Sequence, residues 1–184
     1  MSLTFSNSYL KGVVAPDFTL LDAVSGREMA LESIKGDRGT VIFFICNHCP
    51  FVIHVNEELV RIANEYHSKG FSFIAVSSND IKKYPADSPE KMKEQALKVG
   101  YPFPYLYDET QEVAKAYNAA CTPDLYVFDS DLKAAYHGQL DDSRPGNGIP
   151  VSGKDVRNVL EIMLRNGVYK GNQKPSVGCG IKWK

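Results

Sequence analysis

Two cysteines three positions apart, in Cys46-Asn47-His48-Cys49-Pro50, are the residues of this chain best suited to chemistry. A thiolate is the reactive form of cysteine, both as nucleophile and as metal ligand, and its pKa falls where helix N-terminal N–H groups and the macrodipole favour negative charge. Cys-x-x-Cys spacing lets one sulfur attack a disulfide while the second resolves the mixed disulfide. Here the first sulfur, Cys46, is expected to attack and Cys49 to resolve. His48 adds positive charge or a donor beside the thiolate, which would lower its pKa, stabilise the reduced form and make the disulfide more oxidising.

Other chemistries fit the pair less well. A structural zinc site normally takes two further ligands from a second knuckle, whereas Cys121 and Cys179 each stand alone. Haem attachment needs a histidine directly after the second cysteine, and Pro50 is there. Two inert core cysteines at a strand end remain the plain structural reading.

The elements around the pair follow from periodicity. Val41 to Ile45 is an unbroken apolar run bounded by Gly39 and Pro50, which predicts a central strand covered on both faces. From Pro50 to Lys69 the period becomes helical, with Val52, Val55, Leu59, Ile62, Ala63 and Tyr66 on one face and Gly70 as the stop. The cysteines therefore sit on a strand-to-helix turn, with Pro50 at a first-turn position that needs no N–H. Asp17 to Asp22 and Met29 to Leu31 predict a hairpin turned by Ser25-Gly26-Arg27, and Phe71 to Ser77 a second buried strand. Tyr84 to Pro89 reads as a turn-rich connection. Ser88 then caps a helix over Glu90 to Val99, and Thr110 caps another over Gln111 to Asn118. Pro102 and Pro104 argue against a well-paired central strand at Pro102 to Tyr107. Leu125 to Asp129 and Lys133 to His137 predict a second hairpin, and Val151 to Asn166 a last helix.

This order, β-hairpin, β, α, β, α, α, β, β, α, predicts an α/β domain with a central mixed sheet flanked by helices. The expected limits are an arm over residues 1–12, a domain over 13–166 and a tail over 167–184 without helix or strand signal. At 184 residues the chain buries about 70 % of its unfolded surface without covalent staples, so its four cysteines are not a disulfide framework. The formal net charge of -1, from 21 basic and 22 acidic residues with no basic stripe, argues against nucleic acid or an anionic membrane as partner. With no apolar run of membrane-spanning length and no leader-like start, a cytoplasmic location is expected, although a signal removed beforehand would leave no trace.

The element order with Cys46-Asn47-His48-Cys49 on its turn resembles the thioredoxin-like superfamily, and Ala15-Pro16-Asp17-Phe18 is similar to the opening of its peroxiredoxin branch, the alkyl hydroperoxide reductase and thiol-specific antioxidant proteins. The resemblance spans roughly residues 13 to 166 and implies a thioredoxin-like fold. It also implies a cis proline facing the cysteines, for which Thr122-Pro123 before Leu125 is the matching place. Peroxiredoxins carry a proline seven residues and a hydroxyl residue three residues before the peroxidatic cysteine. Counted from Cys49, those places hold Ile42 and Cys46, and the expected arginine gives way to Pro123. The buried carboxylate of thioredoxins is replaced by Thr40, and His48 matches the middle histidine of disulfide isomerases and oxidases.

The resemblance thus implies a thiol-disulfide oxidoreductase, with a thiol-dependent peroxidase as the alternative and a copper or zinc chaperone as a third class. The implied partners are protein or small-molecule thiols and disulfides, or peroxides, together with an external thiol reductant. No cofactor and no resident metal are implied. Pro123 would shape the substrate groove, with Thr122 beside it. Cys121 is either a second redox thiol or a small buried hydrophobe, and Cys179 either a resolving cysteine on a flexible tail or incidental. Arg144 in the long loop Gln139 to Pro150 either binds substrate or ties the loop to the body through a carboxylate. His54, His67 and His137 are expected to be ordinary surface or helix histidines.

Overall fold

The computed structural model describes residues 3–184. Its elements begin with β1 (Leu3–Phe5), β2 (Thr19–Asp22), β3 (Glu28–Ala30), the short α1 (Leu31–Ile34), β4 (Gly39–Phe44), α2 (Pro50–His67) and β5 (Phe71–Ser77). They continue with α3 (Pro89–Val99), β6 (Tyr105–Tyr107), α4 (Glu112–Ala116), β7 (Cys121–Thr122), β8 (Asp124–Asp129), β9 (Ala134–Gly138), α5 (Lys154–Asn166) and β10 (Val177–Gly180). Seven strands form one mixed sheet in the order β3-β2-β6-β5-β4-β8-β9, in which β4, β5 and β6 are parallel and the other pairings antiparallel. The expected α/β architecture, a central mixed sheet flanked by helices with a hairpin near its start, is the one observed.

β4 is central and fully buried because both of its faces are covered. Val41 and Phe43 point into a core shared with α2, α3 and α5, while Ile42 and Phe44 join Leu31, Tyr117, Tyr126 and Phe128 on the other side. An alternating strand would have left one of these cores unfilled, which is why the sequence here is continuously apolar. Among the described residues, no helix is long and apolar enough to cross a membrane.

Three expectations are corrected. β6 is an interior strand, paired with β5 on one side and β2 on the other. Pro102 and Pro104 precede its first residue, so neither removes a ladder N–H, and the Pro104 carbonyl still accepts from Ala75. α4 is shorter than expected and is organised by the fully buried Asp108, whose carboxylate accepts the N–H groups of Val113 and Ala114 and the Ser78 hydroxyl. Thr110 Oγ1 accepts only the N–H of Glu112.

The third correction concerns the tail, which contains β10. That strand lies between β1 and β7 in a separate three-stranded sheet, with Cys179 opposite Leu3 on one side and Thr122 on the other. Its pairing is entirely non-local, and two of its four residues are glycines, so no local signal announces it. Gly178 permits the approach: a Cβ there would lie 2.0 Å from the Thr122 carbonyl oxygen. Nor is Cys179 on a mobile segment, for it is buried in the core cluster that contains Cys46 and Cys49.

Candidate active site

The Cys46–Cys49 turn is built by three segments. β4 ends at Phe44 and delivers Cys46, 2 % exposed; Cys49, 0 % exposed, is the N-cap residue of α2, with Pro50 at the first helical position. Opposite them the Thr122–Pro123 bond is cis, as the sequence led us to expect. From this side Thr122 addresses both sulfurs. Its hydroxyl lies 3.5 Å from Cys46 Sγ, and its carbonyl oxygen 3.2 Å from Cys49 Sγ. Among the described residues all four cysteines are thiols, with no disulfide formed.

The Cys46 thiol is a donor toward the Cys49 sulfur beside it. Donation from Cys46 holds the Cys49 pKa well below the usual thiol range against the opposing effect of burial, with further support from Cys179, Thr122 and the first-turn N–H of Val52. The same hydrogen bond, together with burial and the neighbouring Asp87 charge, drives Cys46 up. The pair therefore loses its first proton early and its second late. The remaining proton has two places. On Cys46 it is donated to Cys49; on Cys49 it is donated to the Thr122 carbonyl, leaving Cys46 as the thiolate facing the Thr122 hydroxyl.

The third segment is one the sequence did not reveal. Pro85 to Asp87 forms a single turn of 3-10 helix that inserts the fully buried Asp87 behind the cysteine turn. Asp87 Oδ1 accepts the Asn47 N–H at 2.8 Å, and Oδ2 accepts from Asn79 Nδ2 at 2.8 Å. The Asn47 side chain is pinned in turn by the Ala86 carbonyl and the Tyr105 hydroxyl. His48 also faces Asp87, with Nδ1 2.8 Å from Oδ2, and its ring stacks on Tyr84 at 5.5 Å. The Asp87 charge acts on Cys46, and His48, expected to tune a thiolate, lies beside both of them. The available signal was Tyr84 to Pro89 itself, a turn-rich connection at the sheet end that carries the cysteines. Cys46 Sγ and ligand atoms of His48 and Asp87 all lie within 4.8 Å of one another.

The remaining expected residues fall into place around this centre. Cys121 is fully buried, its Sγ 3.8 Å from the Pro123 carbonyl oxygen, and burial pushes its pKa up. Cys179 is pushed up to about 12, first by burial and then by its hydrogen bond to Cys49. Arg144 neither pairs with a carboxylate nor points into solvent. Its guanidinium donates to the Asp141 and Ser143 carbonyls and to Gln139 Oε1, fixing the long loop. That loop forms one wall of a cleft beside Pro123, lined also by Phe51, His54 and Val177, with His54 hydrogen-bonded to Ser143. His67 lies exposed in the last turn of α2. His137 is not a surface histidine; it is buried on β9 and paired with Asp124 at 2.7 Å.

The AhpC/TSA family model matches residues 12–137. The thiol-disulfide oxidoreductase ResA of Geobacillus kaustophilus is 30% identical over 123 residues, which are 65% of this chain; the chain spans 64% of that curated relative's length. Among solved structures, an uncharacterized conserved protein from Geobacillus kaustophilus is 59% identical over 100% of this chain and 97% of that one, with a TM-score of 0.98. A hypothetical protein from Sinorhizobium meliloti 1021 is 43% identical over 98% of both chains, with a TM-score of 0.95. The thioredoxin domain of a thiol-disulfide oxidoreductase from Bacteroides vulgatus, 20% identical over 85% of this chain and 99% of that one, has a TM-score of 0.67, which establishes the thioredoxin-like fold.

Proposed function

The chain belongs to the AhpC/TSA family, and from that premise we propose that it is a thiol-disulfide oxidoreductase whose working groups are Cys46 and Cys49. The observation that carries this reading is the pair of buried sulfurs meeting both polar groups of Thr122 beside the cis Thr122–Pro123 bond, Cys46 Sγ at the hydroxyl and Cys49 Sγ at the carbonyl. In the tautomer with the proton on Cys49, the Cys46 thiolate attacks a substrate disulfide, forms a mixed disulfide and expels a thiolate. That thiolate takes the Cys49 proton. Cys49, now a thiolate, attacks Cys46 Sγ, closes the intramolecular disulfide and releases the second substrate sulfur as a thiolate, which takes a proton from solvent. An external thiol reductant reverses the cycle, and the same steps run backwards oxidise a substrate dithiol. Pro123, joined by its cis bond to the Thr122 that meets both sulfurs, borders the place where the substrate sulfur must arrive. His48 stands against Asp87 and beside Cys46, placed to tune the thiolate.

A peroxidase is the second reading, favoured by one feature: the Cys49 thiolate is stabilised at the first turn of α2, where a lone peroxidatic cysteine would stand. Disulfide mapping of the oxidised chain separates the two. Oxidoreductase chemistry gives a Cys46–Cys49 bridge, with Cys121 and Cys179 alkylated after denaturation. Peroxide turnover that survives Cys46→Ser, with Cys49 bridged elsewhere, would instead select the peroxidase.

A further inference from the structure

Beside the redox pair lies a second ligand set made of unlike groups. Cys46 Sγ and ligand atoms of His48 and Asp87 lie within 4.8 Å of one another; Cys46 is 2 % and Asp87 0 % exposed. His48 Nδ1 is buried and makes no hydrogen bond, because its 2.8 Å approach to Asp87 Oδ2 lies outside hydrogen-bonding geometry. A buried imidazole nitrogen without a proton partner, aimed at a carboxylate and a thiol, is the arrangement a cation would complete. We propose that the reduced protein binds one zinc ion through Cys46 Sγ, His48 Nδ1 and Asp87 Oδ2, and that this ion and the Cys46–Cys49 disulfide exclude one another.

The donor set selects the metal. Thiolate, imidazole and carboxylate together suit zinc, whereas magnesium and calcium take oxygen ligands. Tetrahedral zinc with bonds of about 2.0 to 2.3 Å requires donor separations of roughly 3.3 to 3.6 Å, within reach of small side-chain rotations from the observed cluster. The surroundings already hold the ligands in place: Asn47 N–H and Asn79 Nδ2 fix the Asp87 carboxylate, and Tyr84 stacks on the His48 ring. Asn79 is itself held by the Lys182 N–H at 2.8 Å, so the end of the chain braces the site. Three protein ligands leave a fourth position for water.

The exclusion rests on the redox reading above. Binding holds Cys46 as the thiolate and occupies the attacking sulfur. When a substrate disulfide oxidises the zinc form, Cys46 thiolate, Cys49 thiol and one proton from solvent give the Cys46–Cys49 bond, two substrate thiols and a zinc ion. The site would therefore be inhibited by zinc when reduced and would release zinc when oxidised.

Metal-free, reduced protein titrated with zinc against a chromogenic chelator is expected to bind one equivalent. Cys46→Ser, His48→Gln and Asp87→Asn should each weaken binding at least about tenfold, and the disulfide form should bind none. Because Asp87 is buried, its variant is read together with a measurement on the unaltered chain, in which cobalt should give a thiolate charge-transfer band and zinc should slow alkylation of Cys46. Equal zinc affinity for the unaltered protein and Cys46→Ser, or zinc retained after the disulfide forms, overturns the proposal. A missing Cys46–Cys49 couple in chelator-treated protein counts against the redox reading alone, since the reduced chain's zinc affinity is measured separately.

Discussion

Replacing Cys46 by serine is expected to reduce thiol-disulfide exchange by at least about a thousandfold, because the atom that forms the mixed disulfide is removed and no neighbouring thiol can take its place. Cys49 is completely buried, Cys121 is closed behind Pro123, and Cys179 sits within β10. Cys49→Ser is expected to behave differently. Cys46 still attacks, but nothing resolves the adduct, so the variant accumulates a mixed disulfide with its substrate while turnover is lost. Mass spectrometry of the two variants after exposure to a disulfide substrate checks both statements. An adduct on Cys46→Ser rather than on Cys49→Ser would reverse the assigned roles.

The second large effect is on stability and arises one residue beyond the cis proline. Asp124 and His137 form a buried pair at 2.7 Å, 0 % and 3 % exposed, with the Tyr126 hydroxyl donating to the second carboxylate oxygen at 3.3 Å. Burial drives the Asp124 carboxyl up, and His137 is the partner that chiefly opposes it. The imidazole also stacks on Tyr126 at 4.1 Å and meets Tyr9 at its edge. His137→Ala would leave the carboxylate without its partner in a dry interior and open a cavity under Tyr9. A loss of about 3–5 kcal/mol is expected by urea denaturation. His137→Gln, which restores a donor, should recover part of it. A loss of under about 1 kcal/mol from His137→Ala would mean that the pair behaves as an exposed one.

What could be read from the sequence was local. The continuous apolar run of β4, the change to helical period after Pro50, the Ser88 cap and the Gly100 stop of α3 each depend on neighbours within a few positions, and each is found where expected; Ser88 Oγ accepts from Lys91 N, and Gly100 adopts the left-handed conformation. The cysteine turn was legible because residue type and spacing carry it, and the cis Thr122–Pro123 bond because the resemblance to the thioredoxin-like superfamily implied it. The rest depends on contacts between distant segments. Asp87 becomes part of the site only because its turn folds across the end of β4, and β10 exists only because β1 and β7 offer edges to a glycine-rich segment. His137 looked ordinary because its partner Asp124 is on the adjacent strand, 13 residues away. His48, adjacent to Cys49 in sequence, lies beside Cys46 and also meets Asp87, a carboxylate whose position no local pattern reveals.

The central claim is that Cys46 and Cys49 form one reversible two-electron couple whose reduced state is stabilised by the Cys49 thiolate. Its direct test is a redox titration of metal-free protein in glutathione or dithiothreitol buffers, with both cysteines followed by alkylation. The expected result is a single transition, shared by Cys46 and Cys49, at a potential above the thioredoxin value of about -270 mV. A transition at or below that value, or one in which the two cysteines titrate separately, would contradict it.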